Sequence, residues 1–204
     1  NCKTGKIYIG KNAEIMEGSN IRGSLALCED SKINLGTKLY GGTTIGPHCK
    51  VGGEVNNMVI FGYSNKGHDG FLGNSVIGEW CNLGADTNSS NLKNNYASVK
   101  LWNYRKKRFL DTGLQFCGLI MGDHSKTAIN TQLNTGTTVG VASNIFKSGF
   151  PPNLVDSFSW GGMKGDEKFR LDKSYEVAEK AMGRRKIPLT DFDKDILKYI
   201  YNEF

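Results

Sequence analysis

The sequence predicts an all-β solenoid, a parallel β-helix, with a short α-helical appendage at its C-terminal end. Three observations carry this reading. Aliphatic residues recur at every sixth position, as Ile9, Ile15, Ile21, Leu27, Ile33, Leu39, Ile45 and Val51. Four places after each lies a mostly compact residue: Ala13, Ser19, Leu25, Ser31, Thr37, Thr43, Cys49 and Val55. Near the C terminus the period changes, and apolar residues recur at helical spacing instead.

A six-residue unit makes a short strand and a turn, and three such units close one coil with the recurring aliphatic side chain pointing inward. Coils stacked at the strand spacing of about 4.8 Å then merge their inward residues into one core. An antiparallel sandwich would show two-residue alternation over longer segments. The hexads resume at Phe71, Ile77 and Leu83, and again at Leu133, Val139 and Ile145. Residues 57–70 therefore read as a loop or irregular coil leaving the solenoid, and residues 88–112 as a larger excursion. Interruptions of a rigid scaffold are favoured places for sites.

The prolines and glycines of PPNLVDSFSWGG, residues 151–162, end the repeat. This divides the chain into a solenoid, residues 1–160, and a helical cap, residues 161–204. Leu171, Tyr175, Ala178 and Met182 form one helical stripe, and Ile196, Ile200 and Phe204 a second, preceded by Thr190 and Asp191 as helix-start residues. Both helices should cap or flank the last coil. Their evenly mixed charges suit solvated helix faces better than a nucleic-acid arm.

At 204 residues the chain supports one principal core, and its net charge of +6 favours anionic ligands without choosing among them. The five cysteines are scattered, without metal-ligand spacing or a disulfide framework, which fits a reducing cytoplasm. No apolar run is long enough to cross a bilayer, so neither a membrane nor a nucleic acid is expected as partner. Walker A, GxGxxG and GxSxG motifs are absent, and Asp123 with His124 is too small a pair to argue for a metal.

One stretch carries more specific information. KGHDGFLGNSVIGEWCNLGADTNSSNL, running from Lys66 to Leu92, places His68 on a glycine-flanked loop. Together with the hexads of residues 9–150 it resembles the left-handed β-helix acyltransferases, most closely the C-terminal acetyltransferase domain of bifunctional N-acetylglucosamine-1-phosphate uridyltransferases. The resemblance implies a left-handed helix, a homotrimer, acetyl-CoA as acyl donor and a sugar-phosphate or nucleotide-sugar acceptor. It implies His68 as general base, a role that fits chemically, since an amine attacking a thioester must lose a proton. Asn82 and Asn91 match acceptor-contacting asparagines, and Ala85 a small position beside the coenzyme. Asp69 is assigned to loop shaping. Lys66 is a candidate for attracting phosphate, and the basic run of residues 104–108 is assigned to surface electrostatics.

The chain also departs from the family. Tyr40 stands where an arginine is expected, EVNNM of residues 54–58 lacks the phosphate-contacting lysine, and Phe71 and Leu92 replace tyrosines. These losses keep open a noncatalytic oligomerisation or regulatory domain from a larger sugar-phosphate nucleotidyltransferase, and an acyltransferase acting on a non-sugar amine.

Overall fold

The computed structural model describes residues 1–203; Phe204, assigned above to the second helical stripe, lies outside them. The chain is a left-handed parallel β-solenoid with a C-terminal helical appendage. One face carries eight parallel strands in chain order, beginning at Ile7–Ile9, Leu25–Leu27 and Thr43–Ile45 and ending at Leu154–Val155. A second face stacks Glu14–Ile15, Lys32–Ile33, Lys50–Val51 and Asn65–Lys66, continues through a bridge at Asn82, and runs on through Lys126–Thr127 and Asn144–Ile145 to Trp160–Gly161. The third face begins with Asn20–Ile21, Lys38–Tyr40, Glu54–Asn56 and Phe71–Gly73.

The hexad residues Leu27, Ile33, Leu39, Ile45 and Val51 are at most 1% exposed and form one continuous core with their successors on later coils. Parallel pairing in register is what makes this possible, because it sets each inward side chain on the same side chain one coil earlier.

Residues 57–70, expected to leave the solenoid, remain in it. Val59–Ile60 pairs with Thr44 and Ile45, and Asn65–Lys66 pairs with Lys50 and Val51. The coil between Ile45 and Ile60 is three residues shorter than the one between Leu27 and Ile45. Tight turns absorb the deletion and shift the six-residue frame. Leu72, paired with Val55, therefore takes the inward slot assigned to Phe71, which is only half-buried. The larger excursion also starts later than expected: Asn88–Ser89 still pairs with Gln132–Leu133. Beyond it, Lys100–Asn103 and Arg108–Asp111 form an antiparallel hairpin before the chain rejoins the first face at Ile120.

One corner of the solenoid repeats a left-handed backbone residue on successive coils. His48, Tyr63, Trp80, His124, Ala142 and Phe158 all have φ between 54° and 61°. Identical backbone geometry at the coil spacing stacks their side chains: His48 on Tyr63 at 4.9 Å, Tyr63 on Trp80 at 4.1 Å and Trp80 on His124 at 6.3 Å between ring centroids.

The helices α1, Leu171–Gly183, and α2, Asp191–Glu203, lie along this corner. Ala178 and Met182 of α1 pack with Leu189 and Trp80, while Leu197 of α2 packs with Ala142, Phe158 and Phe169. At the start of α2 the Thr190 and Asp193 side chains each accept the other's backbone N–H, at 3.2 and 2.8 Å, a reciprocal cap. Of the expected stripe Ile200 packs against this cluster, whereas Ile196 is 43% exposed and Leu197 takes the buried place beside it. Among the described residues, no helix is long and apolar enough to cross a membrane.

Candidate active site

A cleft of about 1200 Å³ runs along the second face and under the end of α1. Its floor is a ladder of outward side chains one coil apart: Lys32, Lys50, Asn65, Asn82 and Lys126. At the adjoining corner, the Asn65–Asn82 register places Ala85 one coil beyond His68, and Asp86 N–H donates to the Asp69 carbonyl at 3.0 Å. By the register of Val51 with Lys66, Gly53 lies one coil before His68. His68, which is exposed, thus lies in register between two small residues.

The turn that carries His68 is fixed from three directions. Beneath it, a Cβ on Gly52 would come within 2.5 Å of the Gly67 carbonyl oxygen, and one on Gly53 within 2.8 Å of Asp69 Cα. Gly53 also has φ +73°, so side-chain-bearing residues are disfavoured there for two reasons. From the side, Asn34 Nδ2 donates to the Gly67 carbonyl at 2.7 Å. From inside, Lys66 Nζ donates to the carbonyls of His68, at 2.6 Å, and Asp69, at 3.3 Å.

His68, Asn82 and Ala85, singled out from the sequence, all line the cleft together with Asp69. Two others do not. Lys66 is 2% exposed and fills an inward core slot, so its charge faces the loop from beneath rather than a ligand in the cleft. Burial lowers its pKa to about 8, against the opposing pull of Asp69 and Asp86. Asn91 lies away from the cleft and its amide donates to Asn74 Oδ1 at 2.8 Å.

Other cleft residues escaped the sequence reading. Arg184 and Arg185, just past α1, form the wall facing the ladder, and Arg185 donates to the His48 carbonyl at 3.2 Å. Lys50 and Arg184 are exposed, whereas Lys32 pairs with Glu14 at 2.6 Å and Lys126 donates to the His124 carbonyl at 2.8 Å. With five cations against Asp69 and Asp86, the cleft lining is cationic. The Arg-Arg pair is plain in the sequence, but nothing local says that α1 folds back to this level of the solenoid.

Asp123 and His124 have separate duties. Asp123 Oδ1 accepts the Glu79 N–H at 2.8 Å, and His124 is held in the ring stack, where burial pushes its pKa down to about 4. Among the described residues, no group of three or more His, Cys, Asp or Glu side chains is placed to hold a metal ion.

The solenoid is of the hexapeptide-repeat class, an acyltransferase-like fold. No protein-family profile matches the chain. It is 33% identical over 144 residues to a bifunctional sugar-1-phosphate nucleotidylyltransferase/acetyltransferase of Sulfurisphaera tokodaii, covering 70% of this chain and 35% of that protein. It is 30% identical over 135 residues to the bifunctional protein GlmU of Trichodesmium erythraeum, covering 65% and 24% of the two chains. Against GlmU of Methanocaldococcus jannaschii the identity is 36% over 87 residues, with 43% and 21% covered. The match thus spans about a third or less of each relative. Within these bounds the chain is a hexapeptide-repeat solenoid resembling the C-terminal domain of the GlmU and related bifunctional acetyltransferases.

Proposed function

We propose that this protein transfers the acetyl group of acetyl-CoA to the amine of a sugar phosphate or nucleotide-linked sugar. One observation carries the reading: His68, Asn82 and Ala85, drawn from two successive coils, line one cationic cleft. The acceptor amine attacks the thioester carbonyl, a C–N bond forms, and His68 takes the amine proton. The C–S bond then breaks and the proton passes to the departing sulfur, releasing CoA as the thiol. Asn82 orients the acceptor by hydrogen bonding. Gly53 and Ala85 leave room beside the imidazole for the pantetheine arm, with exposed Ile129 forming apolar lining farther along. Lys50, Arg184 and Arg185 attract the phosphates, in place of the cations missing at Tyr40 and residues 54–58. Asn91 contributes only if a second copy of the chain closes the cleft, as a homotrimer would provide.

The test is thiol release and product mass with acetyl-CoA and a panel of sugar amines. Turnover is expected with at least one phosphorylated acceptor, and His68→Ala should lower it at least a hundredfold while leaving the fold intact. Unchanged turnover in that variant sinks His68 as base. A second reading, a noncatalytic regulatory domain, is favoured by two engaged side chains: Tyr40 donates to Glu54 at 2.6 Å, and Asn91 to Asn74. Absence of CoA binding and of turnover across the panel would select it.

A further inference from the structure

Lys66 stands where the solenoid needs only volume. The same slot on the three preceding coils holds Ile15, Ile33 and Val51. A lysine there is 2% exposed, and burying an ammonium is far less favourable than burying a hydrocarbon. What the substitution adds is specific. The ammonium reaches out of the core to two consecutive carbonyls, those of His68 and Asp69, at 2.6 and 3.3 Å. These belong to the turn that presents the imidazole, packed on Gly52 and Gly53 and completed by Gly70 at φ +109°. A glycine-rich turn has wide conformational freedom, and a charge-assisted pair of hydrogen bonds restricts it.

We propose that Lys66 is a positioning residue that fixes the His68 turn from inside the solenoid, so that the imidazole is presented to the cleft in one orientation. Its catalytic consequence rests on reading His68 as the general base. Asp69 and Asp86 are the charged groups facing it and favour the ammonium form, while the neighbouring core side chains Val51, Leu72 and Leu83 carry no charge.

Two measurements test this, one independent of turnover. The chain has three histidines, so imidazole resonances can be assigned individually by NMR. With the Lys66 pKa near 8, the His68 signals should shift or broaden as pH rises through about 8, and those of His124 should not. Lys66→Met, which fills the slot with a hydrocarbon chain, should give broadened His68 signals at all pH values and abolish that transition. With acetyl-CoA and the phosphorylated sugar amine of the panel that the wild type acetylates fastest, the same variant should lose roughly ten- to a hundredfold in kcat with the KM for acetyl-CoA within about twofold. Unaltered His68 resonances in Lys66→Met overturn the proposal. Should Lys66→Met fail to fold, Lys66→Leu, which matches the aliphatic residues in this slot on the preceding coils, gives the same readout. Loss of turnover in His68→Ala with full turnover in Lys66→Met refutes the positioning role alone; full turnover in His68→Ala refutes the base and leaves the NMR result standing.

Discussion

Two buried titratable side chains make this fold more stable as pH rises, each in its own window. His124, stacked on Trp80 beneath the appendage, has a pKa near 4, lowered first by burial and then by Lys126, against the pull of Asp193. The unfolded chain takes up this proton at a higher pH, so the stabilisation is complete above about pH 6.5 and is lost as pH falls towards 4, roughly 3 kcal/mol in all. His124→Phe should flatten that acid limb in urea unfolding followed between pH 4 and 7. Lys66, whose pKa burial lowers to about 8, acts with the same sign in a higher window. Below pH 8 the fold carries the full penalty of the buried charge, and stability rises as pH climbs from about 8 to the unfolded value near 10.4. Lys66→Met should therefore be more stable than wild type at pH 7, by about 1–3 kcal/mol. A gain in stability coupled to a loss of turnover would mark a residue retained for the site rather than for the core.

Among the elements, the turn over Gly52 and Gly53 governs how the scaffold aims its chemistry. Gly53→Ala would push a methyl group against Asp69 Cα and force a side-chain-bearing residue to φ +73°. We expect a loss of about 1–3 kcal/mol of stability, with displacement of the His68 turn. The matching readout is a fall in kcat larger than in Asn12→Ala, a substitution at an exposed left-handed turn remote from the cleft. The short coil between Ile45 and Ile60 matters for the same reason. By removing three residues it resets the frame, so that Lys66 falls inward and Phe71 sideways.

At the level of the whole molecule, α1 turns a surface groove into a walled cleft by carrying Arg184 and Arg185 over the ladder that contains Lys50. Replacing both arginines with alanine should raise the KM for an anionic ligand at least fivefold at low ionic strength, with a smaller effect as salt rises. A rise for acetyl-CoA but not for the acceptor would assign the wall to the coenzyme phosphates, and the reverse to the acceptor phosphate. Light scattering tests the proposed homotrimer, and a persistent monomer under turnover conditions would count against it.

The sequence by itself determined the solenoid, its buried aliphatic residues from Leu27 to Val51 and the helical appendage, because a coil repeats its local geometry and writes each inward position into a fixed interval, although Ile9 and Ile15 at the open first coil are exposed. The same regularity misled wherever the interval changed, at residues 57–70 and at the start of the hairpin excursion, since six-residue counting has no memory of a shortened turn. Only the tertiary structure decided that Lys66 points inward, that Asn91 lies away from the cleft and that Arg184 and Arg185 face Lys50. Each of these depends on which coil stacks on which and on where α1 folds back, and those are contacts between residues far apart in the chain.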